Sequence, residues 1–275
     1  MNFEKQIMNE LSSRGLNVRI KQIETIKNAV KCQGIRIINS KNQEVTPIVY
    51  YSSGETIAVI ADRIINVISH NNFPRINISD LCDYDYVASH LILAVSRRDG
   101  EAEKVFNKHY LNFDLIMKLK FSDESTGDII TIKVVSDILN FCKMSEDEAW
   151  KYAAENSAAT SQIRNMSDII DVGDGRDGQL YIASCNNGYD GASVMYFPSL
   201  FEKFCMEHQF NCLIILPSST QEVIIIPDYE ALSTQEMIAL VSEVNDSVVD
   251  PLVQMEPAVY RYQLGSNAVS VLLSL

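Results

Sequence analysis

The chain has 275 residues, 47% apolar and 21% charged, and a formal net charge of −13. These values suit one large globular domain or two packed lobes and exclude global disorder. No apolar run reaches the ~18–20 residues of a bilayer span, and Met1-Asn2-Phe3-Glu4-Lys5-Gln6 lacks the basic-then-apolar order of a secretory signal.

Residues 2–14 read as an amphipathic helix, with Phe3, Ile7 and Leu11 on one face and Gly15 as its stop. A hairpin follows, with strands near 17–28 and 33–39 and a turn at Lys31-Cys32-Gln33-Gly34. Pro47 to Tyr51 is a short extended segment. Ser52 and Glu55 stand at capping-box spacing and open a helix that aligns Ile57, Ile60, Ile64 and Ile68. A further helical stretch from Ser79 carries Tyr84, Val87, Leu91 and Ala94 and closes at Arg97-Arg98-Asp99-Gly100.

From Phe113 to Phe121 every odd position is apolar, as in a half-buried strand, and a turn over 122–128 leads to a partner strand over 129–135. Ser145 and Glu148 form another capping box, opening a helix to about Glu155 that holds the single tryptophan, Trp150, as a packing residue. The small, polar stretch 156–178 marks a lobe boundary. It divides an N-terminal α+β lobe (1–160) from a C-terminal lobe (161–275), or lies within one continuous domain.

The C-terminal lobe reads ββαββαββ. It has a strand-turn-strand around Asn186 to Gly191, a helix from Pro198 to His208, strands at 213–216 and 223–226, and a capping-box helix from Ser233 burying Met237, Val241, Val244 and Val248. Strands near 258–264 and 268–273 complete it. Tight connections favour antiparallel pairing, so the class is α+β, with helices on antiparallel-rich sheet.

Charge is uneven. Residues 1–50 hold eight Lys/Arg against four Asp/Glu, a balance of +4, while residues 165–275 hold three against fifteen, a balance of −12. An acidic C-terminal face suits a protein partner with a basic surface. Nucleic acid, which needs Lys/Arg to neutralise phosphates, is not favoured, even with Arg19, Lys21, Lys27, Lys31 and Arg36 in the first hairpin. Six dispersed cysteines suit reduced thiols in a cytoplasm.

The candidate binding patch combines two polar turns: Asn187, Tyr189 and Asp190 from the first, and Ser218, Ser219, Gln221 and Glu222 from the second. Each also reads as an ordinary turn, because Asn, Gly and Asp tolerate positive φ and Ser and Thr bond local backbone. No Gly-x-Ser-x-Gly elbow surrounds either serine. Cys205, His208 and Cys212, with Cys185, offer zinc ligand types but no Cys-x-x-Cys knuckles, and a buried-thiol reading competes. Asp171, Asp174 and Asp177 do not alternate as a calcium loop requires. No phosphate-binding glycine loop is present, so no cofactor is expected.

Val18 to Ile38, Pro47-Ile48-Val49-Tyr50, Phe113-Asp114-Leu115, Asn186 to Ala192 and, above all, Leu216-Pro217-Ser218-Ser219-Thr220-Gln221-Glu222-Val223-Ile224-Ile225-Ile226-Pro227 carry a resemblance. Over nearly its full length the chain resembles a family of bacterial proteins, mostly from anaerobic Gram-positive gut bacteria, known only as a domain of unknown function. Its C-terminal lobe is more distantly similar to YtpQ-like proteins. The resemblance implies a bacterial cytoplasmic origin and no activity. It also implies that relatives often carry His at position 221, where Gln cannot serve as a general acid or base. The expected function is a non-catalytic binding or interaction protein. The alternative is a hydrolase using Asp190, Ser218 and Glu222.

Overall fold

In this computed structural model the described residues are 2–38, 47–69, 76–77, 79–101, 104–122, 129–168, 180–217, 219–227 and 233–275. The Asp171, Asp174 and Asp177 run and Ser218 lie outside them.

The first unit comprises α1 (Phe3–Ser13), a sheet of β1 (Arg19–Lys27), β2 (Val30–Ile38) and β3 (Ile48–Tyr51), and α2 (Ile57–Ser69). Ile7 and Leu11 of α1 and Ile60 and Ile64 of α2 meet Ile35 and Ile37 of the sheet in a core of their own. Four residues before the expected centre at Cys32-Gln33, the hairpin turns at Asn28 and Ala29. Both have positive φ (51° and 64°), and Lys27 pairs with Val30, the two-residue geometry whose twist matches the strands. Gly34 sits inside β2 instead, where a Cβ would come 2.8 Å from Ile48 of β3. Ser52 N–H does bond Glu55, at 2.9 Å, but the helix begins only at Ile57.

The second unit holds α3 (Tyr84–His90), β4 (Leu91–Arg97), β5 (Asn107–Tyr110), β6 (Phe113–Ser122), β7 (Ile129–Lys133), α4 (Ser136–Cys142) and α5 (Glu146–Ala159). The helix expected to carry Leu91 and Ala94 stops at His90. Residues 91–97 pair with β6 from Leu91↔Leu119 to Arg97↔Phe113 and are buried on both faces over 91–96, so sheet packing overrides the helical spacing. β6 takes β4 along one edge and β5 and β7, end to end, along the other. Its odd residues enter the main core, as the alternation predicts, and α5 opens with the expected capping box. Trp150 is buried, and its indole N–H donates to Glu146 at 3.0 Å.

The third unit is β8 (Gln162–Asn165), β9 (Tyr181–Ser184), α6 (Pro198–His208), β10 (Cys212–Pro217), β11 (Val223–Pro227), α7 (Thr234–Ser247), β12 (Ala258–Gln263) and β13 (Ser270–Ser274). Its antiparallel sheet has the order β13-β12-β10-β11-β9-β8. The strand expected after the 186–191 turn is absent; Gly191–Tyr196 winds into 3-10 turns against β4 and β9. Helix α6 packs on one face of the sheet and α7 on the other, which explains why central β10 is buried throughout. Val248 lies past the end of α7 and is 80% exposed, not buried. The architecture is α+β. One apolar cluster runs from Ile76 to Val269, so the second and third units share a core across residue 160.

The outer edge of β4 has no strand beside it among the described residues. Side chains bond it instead. Leu93 N–H donates to Ser157 Oγ (2.9 Å), while Leu93 C=O accepts from Asn186 Nδ2 (2.9 Å) and Ser193 Oγ (3.0 Å). Asn156 Nδ2 reaches the Leu91 carbonyl at 2.9 Å. At the far end the hairpin tip docks: Arg97 N–H donates to Asn28 Oδ1 (2.7 Å), Asn28 Nδ2 donates to Gln254 C=O (2.6 Å), and Ala29 N–H donates to Gly100 C=O (2.8 Å). Asn28→Ala leaves the Arg97 N–H without its acceptor, while the Gln254 carbonyl keeps the bond from Arg97 Nε at 3.1 Å. The substitution is expected to cost about 1–3 kcal/mol in urea denaturation, whereas replacing exposed Asn17 by Ala should cost almost nothing.

Candidate functional site

The two polar turns meet. The 219–222 turn, between β10 and β11, is held from behind by Thr220 N–H donating to Val253 C=O at 2.7 Å. The 186–191 turn is laid over it by the Asn186 bond to β4. Asp190 N–H then donates to Gln221 Oε1 (3.2 Å), Ala192 N–H donates to Thr220 C=O (3.2 Å), and Gln221 Nε2 donates to Thr220 Oγ1 (3.1 Å). Asn186, Asn187 and Asp190 all have positive φ, between 53° and 58°, the conformation Asn and Asp tolerate best. Gly191 is required for a different reason: a Cβ there would lie 2.4 Å from the Gln221 carbonyl oxygen. Gly191→Ala must push the two turns apart and is expected to cost about 1–3 kcal/mol or more, read as a lowered urea midpoint.

The candidate patch residues divide by burial. Asn187 and Tyr189 are exposed, Gln221 and Glu222 are half-buried, and Asp190 and Ser219 are buried. The Asp190 carboxylate meets Lys118 Nζ of β6 at 2.7 Å, with both side chains about 11% exposed. Ser219 Oγ accepts from Gln221 N–H at 3.1 Å. Composition and spacing alone did not mark Lys118 as the partner of Asp190.

Lys118 has company on its face of the sheet. Even-numbered β6 residues share that face, so Lys120 follows it, and Lys133 of β7 stands directly opposite Lys118. Lys133 pairs with Glu101, and Lys120 Nζ donates to the Asn186 carbonyl at 2.5 Å, 5.5 Å from the Tyr189 ring. Lys27, at the end of β1, lies 5.8 Å from the Tyr50 ring. Burial and then the charge of Lys118 hold the pKa of Lys27 below the ordinary lysine value, with Asp190 and Asp250 offsetting part of that. The alternation in β6 places Lys118 and Lys120 on the face opposite its apolar odd residues.

The thiols here are buried. Burial pushes Cys185 up to about 12, and its sulfur sits 3.1 Å from Ser193 Oγ. Burial likewise pushes Cys205 up to about 11. Cys205, His208 and Cys212 do not converge as metal ligands: among the described residues the one group close enough to hold an ion is Asp99, His109 and Asp114. There His109 Nδ1 stands 2.5 Å from buried Asp114 Oδ1, and Asp99 N–H donates to Asp114 Oδ2 at 2.9 Å. Both Asp114 oxygens are thereby satisfied without an ion. The acidic residues do not form one face either, since Glu202 and Glu207 belong to α6 and Glu236, Glu243 and Asp246 to α7, on opposite sides of the sheet.

Breaking the buried Lys118–Asp190 pair from one side strands a charge. Asp190→Ala is expected to cost about 3–5 kcal/mol, and Lys118→Met with Asp190→Leu to recover most of it. Chemical denaturation of Lys118→Met, Asp190→Leu and the double variant gives the coupling directly.

No curated protein and no solved structure matches the chain. A family model described as a family of unknown function (DUF5688) matches residues 1–264, and the chain belongs to that family.

Proposed function

We propose that the protein is a non-catalytic binding protein that takes a protein partner with a basic surface on the outer side of α7. The observation that carries this reading is the composition of that helix, Thr-Gln-Glu-Met-Ile-Ala-Leu-Val-Ser-Glu-Val-Asn-Asp-Ser, which has no Lys or Arg. Met237, Ile238 and Val241 turn into the sheet, while Glu236, Leu240, Glu243 and Asp246 are exposed, Leu240 at 47%. An apolar residue ringed by like charges gives a complementary surface both a contact and an attraction that steers encounter.

The two polar turns support the non-catalytic half of the reading. Their chemical groups serve one another: the Asp190 carboxylate holds Lys118, and the Gln221 amide bridges Asp190 and Thr220. The hydrolase alternative needs an Asp190 carboxylate free to reach a substrate, and here Lys118 Nζ holds it at 2.7 Å in a buried pair. All six cysteines are free, five of them buried, which favours a reducing compartment and hence the cytoplasm of a bacterium as the site of action.

Affinity capture from lysate of the native host tests the proposal with wild type beside Glu243→Lys/Asp246→Lys. Wild type is expected to retain a protein that raised salt elutes and that the double variant loses. Identical captures by the two would end the α7 reading. Turnover of a generic ester, phosphate or glycoside that disappears in Asp190→Asn would replace it with the hydrolase.

A further inference from the structure

The lysine face of the central sheet is positive inside a chain of net charge −13. Lys118 and Lys133 oppose each other across β6 and β7, Lys120 follows on the same face, and Lys27 enters from the hairpin, where the next residue's N–H lies 3.4 Å from Oε1 of Glu101, the partner of Lys133. Like charges placed directly opposite destabilise a sheet, so the arrangement needs anions. Two are bonded in place, Asp190 to Lys118 and Glu101 to Lys133. Four ammonium groups therefore face two bonded carboxylates. Lys120 is engaged by a carbonyl and a tyrosine ring. Lys27 makes no ion pair among the described residues; its ammonium lies 5.8 Å from the Tyr50 ring, and Asp190 and Asp250 act on it only at longer range.

A half-buried ammonium with no bonded counter-ion among the described residues is a cost that folding alone does not explain. Its placement supplies a reason. Lys27 and the tip of its hairpin come from the first unit, Lys118 and Lys133 from the second, and Asp190 from the third. Ligand sites favour such junctions, where separate elements can each contribute one wall. Lys133 is 29% exposed, so the positive region opens to solvent beside Lys27, with the Lys118–Asp190 pair behind it.

We propose that Lys27 and Lys133, backed by Lys118 and lined by Tyr50, bind the oxyanion of a small molecule, a phosphate or a carboxylate. The anion supplies Lys27 with the ion pair that it lacks among the described residues. Asp190 and Glu101 hold the other two lysines in place and keep the site from over-neutralising its ligand. The site shares no residue with the outer side of α7, so either proposal can fail alone.

Calorimetric titration of the full chain at constant ionic strength tests this, with inorganic phosphate, pyrophosphate and citrate as probes against a chloride blank. At least one probe is expected to bind saturably at one equivalent. The phosphates binding better than citrate assigns a phosphoryl ligand, and the reverse assigns a carboxylate. Lys27→Met should weaken binding about tenfold or more, a loss of ~1.4 kcal/mol, while Lys27→Arg keeps it and the exposed Lys5→Met leaves it unchanged. Removing an unpaired cation leaves the fold intact, so Lys27→Met is expected to melt at or above the wild-type temperature. Absence of saturable binding by all three probes, or equal affinity in wild type and Lys27→Met, overturns the proposal.

Discussion

The open edge of β4 is the constraint on which the rest of the molecule depends. A strand paired on one side only leaves alternate N–H and C=O groups facing outward, and burying one of them unpaired costs about 1–3 kcal/mol. Here β4 is buried on both faces over residues 91–96 and, among the described residues, bordered by β6 on one edge alone. Its free edge is closed by short polar side chains: Asn156 and Ser157 from α5, Asn186 and Ser193 from the turn before α6, and Asn28 from the hairpin tip. Three remote stretches of chain are thus brought to one line. Edge closure of this kind also blocks pairing with another chain.

Everything polar at the candidate site follows from that line. Once Asn186 is fixed to Leu93, the turn that follows carries Asp190 over to Lys118, and Gly191 allows the second turn to lie directly against the first. Asn28 does the same for Lys27, the residue before it, by anchoring the hairpin where β4 ends. The amides that satisfy a strand edge therefore also set the charges around the lysine face. Structure and electrostatics here come from the same few residues.

Much of this fold was legible in local patterns, because the patterns and the packing agree. Ser145 with Glu148 and Ser233 with Glu236 cap α5 and α7 as their spacing implies, and the odd residues of β6 are those in the core. The failures have specific causes. Val87, Leu91 and Ala94 share a helical spacing, but 91–97 is also an apolar run, and pairing with β6 decides the matter. Gly34 drew the hairpin turn to itself, although Asn28 and Ala29 take the positive φ and glycine serves a close approach of strands. Strand β5 and helix α4 are too short to leave a period. Of the candidate site, the turn residues were readable from composition. Their partners were not, since Lys118 and Asp190 stand 72 residues apart and only topology joins them.

The two separate apolar clusters carry a consequence for motion. Residues 7 to 64 close a core of their own, and the larger cluster begins only at Ile76. Such cores open as distinct cooperative units, the smaller with the lower free energy. The hairpin tip, by way of Asn28 and Ala29, fastens one unit to the other. Each opening of the smaller unit withdraws Lys27 from the central sheet, leaves Arg97 N–H without its acceptor and bares the last residue of β4. The charge of the lysine face and the cohesion of the two units are therefore one equilibrium. An anion seated beside Lys27 would act as a clasp between bodies whose apolar clusters are separate among the described residues.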